Sequence, residues 1–200
     1  TFDFSSYLKQ DEYGSYISHL MLVCQGRGQE ESGFSEDFVS RHMPDLYLST
    51  GKSYGGKEIK IRSVSIVPEK GTVGVIANIF CNELGLPGLY DSTGESAGVG
   101  VWSLMGYGFE NGPLFQSGTC PAHLSAWEKV QLGWVTPIII NSDTTGVTIK
   151  PVESSGEVYK VLNHLCEEGE YFLLENRKKI GYDQYLPGEG LLIWHIDENV

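Results

Sequence analysis

The chain has 200 residues, 40% of them hydrophobic, which is enough to fill a real core as one ordinary domain or one domain with a small second lobe. Its 26 acidic residues against 14 basic ones give a formal charge of −12, which repels phosphate backbones and anionic lipid surfaces and excludes a nucleic-acid binder. The longest apolar runs, such as residues 135–140, are far short of the roughly 20 residues a bilayer span needs, so no membrane span is expected.

In chain order, residues 1–18 are polar and turn-rich. Thr1-Phe2-Asp3-Phe4 has neither a basic start nor an apolar stretch, so no signal peptide is read there. The run His19-Leu20-Met21-Leu22-Val23-Cys24, bounded by Gly26 and Gly28, predicts a buried strand. Gly26-Arg27-Gly28 begins like a dinucleotide loop, but Glu31 stands where the third Gly belongs and the motif fails. Residues 29–57 read as loop, and Ile59, Ile61, Val64 and Ile66 mark one or two strands ending at Pro68. Val73, Ile76, Ala77, Phe80 and Leu84 then fall at helical intervals, with Thr72 as N-cap and Gly85 as stop, which predicts a helix over about 72–84. Residues 85–118 form a long loop dense in Gly, Tyr and Trp, whose length alone suggests function. A second helix is expected with Pro121 in its first turn, Leu124, Trp127 and Val130 on one face, and Gly133 at its end. From Trp134 onward the pattern is β, with strands expected at 135–140, 146–152, 158–162, 171–175 and 191–196, the last running toward a continuation beyond the chain end. No internal repeat or low-complexity run interrupts the chain. The fold class that follows is α+β: a mixed sheet with a central helix, a long loop, a second helix and a β-rich C-terminal lobe.

Cys24, Cys81, Cys120 and Cys166 contain no Cys-x-x-Cys, so a zinc ribbon or redox pair is excluded. Two disulfides of open connectivity and four buried thiols both fit that spacing.

The segment from Gly74 through Ile76-Ala77-Asn78-Ile79-Phe80-Cys81-Asn82-Glu83-Leu84-Gly85 to Asp91 resembles the active-site helix of the immune inhibitor A family of secreted zinc metallopeptidases. The resemblance continues through Gly100-Val101-Trp102-Ser103-Leu104-Met105-Gly106 and Ala126-Trp127-Glu128-Lys129-Val130-Gln131-Leu132-Gly133-Trp134. Tyr171-Phe172-Leu173-Leu174-Glu175-Asn176-Arg177 and Leu186-Pro187-Gly188-Glu189-Gly190 through Asp197 complete it, so it covers most of the chain from about residue 16. It implies a zincin or metzincin-like fold with a lobe over 1–134, a β-rich lobe over 135–200, an extracellular location, and Met105 in a Met-turn-like loop.

In that family the helix carries His-Glu-x-x-His. Residues at i and i+4 share a helical face, so two imidazoles grip one zinc while the Glu activates its water, and an acid beyond the helix is the third ligand. Carried over position by position, the first His is Asn78, the Glu is Ile79, the second His is Asn82, and the downstream acid is Gly88. Amide oxygens are poor partners for a borderline-soft divalent ion, and Ile79 cannot accept a proton. No catalytic residue and no metal ligand are therefore assigned, and no cofactor is expected, zinc belonging to the family pattern only. The calcium-type loop of the family is reduced here to Lys9-Gln10-Asp11-Glu12-Tyr13-Gly14, whose two acids are too few for a six-to-eight-oxygen shell, so calcium binding is weak at best.

Other chemistry is thinner still. Cys81 lacks a cysteine-peptidase signature, Glu83 with Asp91 makes a weak case for a carboxylate pair, and His19 and His123 read as residues that satisfy hydrogen bonds. His42, His164 and His195 carry no pattern. The reading is a catalytically inactive metallopeptidase-like protein, a scaffold or binding module for a peptide, glycan or protein. Its cleft would be lined by Asn78, Cys81, Asn82, Tyr90, Trp102, Met105 and Tyr107. The alternatives are a zinc metalloendopeptidase with non-standard ligands and a structural subunit of an extracellular assembly.

Overall fold

A computed structural model describes residues 5–11, 14–91, 93–162 and 167–199. It is mixed α+β with two sheets and short helices, divided into two compact units, Thr1–Gly85 and Leu86–Val200. Among the described residues no helix is long and apolar enough to cross a membrane.

The first unit is a five-stranded sheet built on one long strand. β1 (Leu8–Asp11) and β2 (Gly14–Cys24) pair antiparallel with Asp11 opposite Gly14, in the interval that corresponds to the family's calcium-type loop. α1 (Gln29–Ser32) is a single turn, followed by β3 (Arg41–Met43), β4 (Leu48–Tyr54), β5 (Lys57–Pro68) and α2 (Val73–Glu83). β2 runs parallel to β5 along one edge. On the other edge β4 pairs with the first half of β5 and β3 with its second half, both antiparallel. The core residues of β5, Val64 and Val67, are buried together with Val75 and Ile79 of α2, which packs on β5 and β3.

The strand at His19 and the strand ending at Pro68 both form, although the run His19–Cys24 is not buried as expected, with Leu22 and Val23 exposed, and α2 starts after Thr72 and stops before Gly85 as its periodicity predicts. Residues 29–57 are not a loop, however, because they hold β3 and β4. The sequence hides β4 because its stretch Leu-Ser-Thr-Gly-Lys-Ser-Tyr is almost wholly exposed and carries no apolar alternation. Its pairing comes from the turn: Tyr54 faces Lys57 across Gly55 and Gly56, whose φ values of 58° and 79° suit the two-residue turn that matches strand twist.

The second unit begins with the Gly-rich segment, which holds two short 3₁₀ turns at Gly100–Trp102 and Tyr107–Glu110. α3 (Ala126–Gln131) follows, then β6 (Ile138–Ile140), α4 (Val152–Ser155), β7 (Tyr159–Val161), β8 (Glu170–Arg177) and β9 (Gly190–Asp197). The four strands form a sheet in order β6-β7-β8-β9, parallel between β6 and β7 and antiparallel elsewhere. β8 alternates buried and half-buried residues along its whole length, and Tyr171 and Leu173 join Ala126, Val152 and Val158 in one core, backed by Trp127 and Trp194.

Two expectations here are corrected. Pro121 precedes α3 instead of opening it. The helix starts at Ser125, whose hydroxyl accepts from the backbone N–H of Glu128 while the Glu128 carboxylate accepts from the Ser125 N–H, a reciprocal cap stronger than a proline start. Residues 146–152 form no strand. Only Pro151 bridges to Asn176, and the chain enters α4 directly, since Pro151 has no N–H to offer a ladder.

Candidate functional site

Helix α2 carries the expected face. Asn78 and Asn82 lie one turn apart, and the Asn82 side-chain amide donates to the Asn78 carbonyl at 3.0 Å. Ile79 is buried at 8% exposure in the apolar core, and Cys81 is buried too.

The more reactive cluster of this unit sits at the end of the same helix and was not foreseen. In the sheet, His19 of β2 is in register with Ser63 of β5, and His42 of β3 with Ser65. Ser63 and Ser65 are two residues apart on one strand and so point to one face, which puts both imidazoles on that face, flanking the serines. Glu83, the last residue of α2, meets them there. Its Oε2 lies 3.0 Å from His19 Nδ1 and 3.7 Å from His42 Nε2, and the Ser63 hydroxyl donates to it at 2.6 Å. His19 Nδ1 is 3.1 Å from Ser63 Oγ, and His42 Nδ1 is 3.1 Å from Ser65 Oγ. Burial outweighs the attraction of Glu83 and holds His42 below its ordinary pKa, which favours the neutral imidazole that binds metals. His19, His42 and Glu83 each offer one ligand atom, all within 4.8 Å of one another. The expectation of no metal ligand thus finds no support in this unit. Sequence reasoning misses the site because residues 29–57 carry no strand pattern, which leaves His42 without a strand, and because the register that aligns His19 with Ser63 is a tertiary fact.

In the second unit, Tyr90 and Tyr107 stack edge to face with centroids 5.2 Å apart, both partly exposed. Trp102 lies in the 3₁₀ turn between them in sequence. Met105 is fully buried, and its carbonyl accepts from Leu89 N–H at 2.8 Å. Asp91 accepts from the backbone N–H groups of Thr93 and Ser96 and from the Thr93 hydroxyl, which hold its carboxyl well below the usual range as a loop-turn acid. At Gly88 a Cβ would come within 2.8 Å of the Tyr90 ring. A separate cavity of about 430 Å³ is lined by Leu89, Val99, Trp127, Trp194 and Asp197 among others.

Below the surface of this unit the motif residues converge on a charge network. Arg177 donates to Asp183 through two bonds and to Glu175 Oε1 at 3.1 Å, and Lys129 donates to Glu175 Oε2 at 3.0 Å. The Ser103 hydroxyl donates to Glu128, whose carboxyl burial pushes up despite that bond. Cys120 accepts from the Gln184 amide at 3.2 Å, and both Cys24 and Cys120 are free thiols. Cys166 and His164 lie outside the described residues, so the disulfide reading that needs Cys166 is not addressed by them.

Residues 1–135 match the model of the immune inhibitor A peptidase M6 catalytic domain. The chain belongs to that family. It is 32% identical over 132 residues to an immune inhibitor A of Bacillus thuringiensis subsp. alesti, an alignment covering 60% of this chain and 19% of that protein. It is 30% identical over 125 residues to the pre-pro-metalloprotease PrtV of Vibrio cholerae serotype O1 (strain M66-2), covering 56% of this chain and 13% of the relative. The chain therefore spans less than a fifth of the length of either protein.

Immune inhibitor A peptidases are zinc enzymes, and the residues present at the family's zinc positions do not fit that ion. Asn78 and Asn82 offer only neutral amide oxygens in place of imidazole nitrogen, Ile79 is packed in the core with no group to accept a proton, and Gly88 has no side chain to ligate.

Proposed function

We propose that this chain is a pseudopeptidase of the immune inhibitor A family, a domain that keeps the peptidase framework as a binding or scaffold module and no longer hydrolyses peptide bonds. The observation that carries this reading is the replacement of every group the hydrolysis needs on one helix: Asn78 and Asn82 for the imidazoles and the buried Ile79 for the general base. The framework proposed is metzincin-like, with a peptidase lobe over 1–134 and a β-rich lobe over 135–200; the family match over residues 1–135 supports that boundary, whereas the compact units divide after Gly85.

The candidate binding residues of this reading are, in the first unit, Asn78 and Asn82 on α2 with the buried Cys81 beside them and, in the second unit, Tyr90, Trp102 and Tyr107 of the Gly-rich segment, with Met105 a core residue of that segment. The half-exposed Tyr90 and Tyr107 rings are amphipathic surfaces of the kind that hold a peptide or a glycan. An extracellular location follows from family membership on the same terms. A second reading, a metallopeptidase with ligands from outside the helix, is favoured by one observation, the grouping of His19, His42 and Glu83.

A casein digest separates the two. The zinc-supplemented chain releases no chelator-sensitive peptides under the first reading, and cleavage that a chelator abolishes and zinc restores supports the second and overturns the first.

A further inference from the structure

We propose that His19, His42 and Glu83 form a binding site for a divalent transition-metal ion of the zinc class, distinct from the family's zinc positions on α2. The inference does not rest on the pseudopeptidase reading and holds whether or not the chain cuts peptides.

The donor set is the first argument. Two imidazoles and one carboxylate are the ligands of zinc and its neighbours, whereas calcium and magnesium ask for oxygen shells. Distance is the second. Ligand atoms about 2.0–2.1 Å from a tetrahedral zinc lie roughly 3.3 Å from one another. The separations of Glu83 Oε2 from His19 Nδ1 and His42 Nε2, 3.0 and 3.7 Å, straddle that value.

The supports are the third argument. Ligating histidines commonly have their other ring nitrogen fixed by a hydrogen bond, and His42 Nδ1 sits 3.1 Å from the fully buried Ser65 hydroxyl, leaving Nε2 toward Glu83. The buried Ser63 hydroxyl lies 2.6 Å from Glu83 Oε2, with the Ser18 carbonyl, at 2.8 Å, as its other acceptor. His19 spends its Nδ1 edge on Glu83 and Ser63 and packs edge to face on Phe80, while its Nε2 is buried with no hydrogen-bond partner among the described residues. All three ligands stand on regular elements, two strands and the last turn of a helix, which limits the ordering cost of binding. His19 also lines an open cavity of about 580 Å³ with Tyr7, Leu8, Lys9 and Ile17. Three protein ligands leave one tetrahedral position for water or for a donor from a bound partner.

The test is calorimetric titration of Zn²⁺ into the chelator-stripped 200-residue chain, paired with the absorption spectrum of the Co²⁺-loaded protein. The expected result is one ion per chain, with Co²⁺ bands of a four- or five-coordinate nitrogen and oxygen site. His42→Ala and Glu83→Gln each weaken Zn²⁺ binding by more than about 100-fold, and the milder Ser65→Ala weakens it by about 10-fold. Should His42→Ala fail to fold, Ser65→Ala and the Co²⁺ spectrum of the unaltered chain still decide the matter. Absence of stoichiometric binding overturns the site, as does binding that Ser65→Ala and Glu83→Gln leave unchanged. So does binding abolished by Asn78→Ala with Asn82→Ala, which would return the ion to the family helix.

Discussion

Arg177 and Asp183 face each other through two parallel hydrogen bonds, Nε to Oδ2 at 2.7 Å and Nη2 to Oδ1 at 2.6 Å, with both side chains fully removed from solvent. Burial works against the Asp183 charge, and the Arg177 fork more than offsets it, holding the carboxyl below the usual carboxylate range. The same guanidinium reaches Glu175, so one cation organises the end of β8 and the turn after it. Removing one partner of such a pair strands the other charge in the interior, at a typical cost of about 3–5 kcal/mol. Asp183→Asn is therefore expected to destabilise the chain by about 3 kcal/mol in urea denaturation, and Arg177→Lys, which cannot reproduce the fork, also destabilises it.

The cap of α3 is the second target. Ser125 is 1% exposed and exchanges hydrogen bonds with Glu128, which also accepts from Ser103. Ser125→Ala leaves a buried helix end with an unmet donor and is expected to cost about 1–2 kcal/mol. Ser125→Asp, which retains an acceptor at the cap, is the comparison, although a second carboxylate beside Glu128 makes it only a partial rescue.

These two sites bear on how far the sequence can be read. Strands β2, β5, β8 and β9 were legible because apolar runs or alternation announce them, and α2 because its 3.6 period is bounded by Thr72 and Gly85. β3 and β4 were not, since a strand at a sheet edge needs no apolar alternation and the stretch 146–152, which has one, never finds a ladder partner. The emptied family positions Asn78, Ile79, Asn82 and Gly88 could be read from residue types alone. The His19–His42–Glu83 cluster could not, because it brings together residues 19, 42 and 83 through a parallel β2–β5 register and an antiparallel β3–β5 register that no local pattern encodes.

His123 supplies a pH dependence. Burial, aided by Lys129 and Arg177, outweighs the pull of Asp183 and Glu175 and holds its pKa below the ordinary value. In the unfolded chain the imidazole titrates near about 6.5, so between that value and the lower folded pKa the unfolded state binds more protons. The stability contribution is complete above about pH 6.5 and is lost as pH falls through the folded pKa. Urea midpoints at about pH 7.5 and about pH 5.5 should separate for the unaltered chain, and His123→Phe, which keeps a ring against Tyr182, should narrow the gap.

Phe115 carries a left-handed backbone, φ 64°, and is 95% exposed. Its side chain buries nothing, whereas its conformation costs a non-glycine residue roughly 1–2 kcal/mol. Phe115→Gly is expected to raise stability by up to about 1 kcal/mol, read as a higher urea midpoint without a change in slope.

Helix α2, which holds the metal in the immune inhibitor A family, has no metal ligands left at Asn78 and Asn82. Anomalous scattering at the zinc absorption edge, from crystals grown with Zn²⁺, tests this directly. The expected result is no peak within coordinating distance of Asn78 or Asn82, and a zinc peak ligated by those two side chains would show that the helix still binds metal.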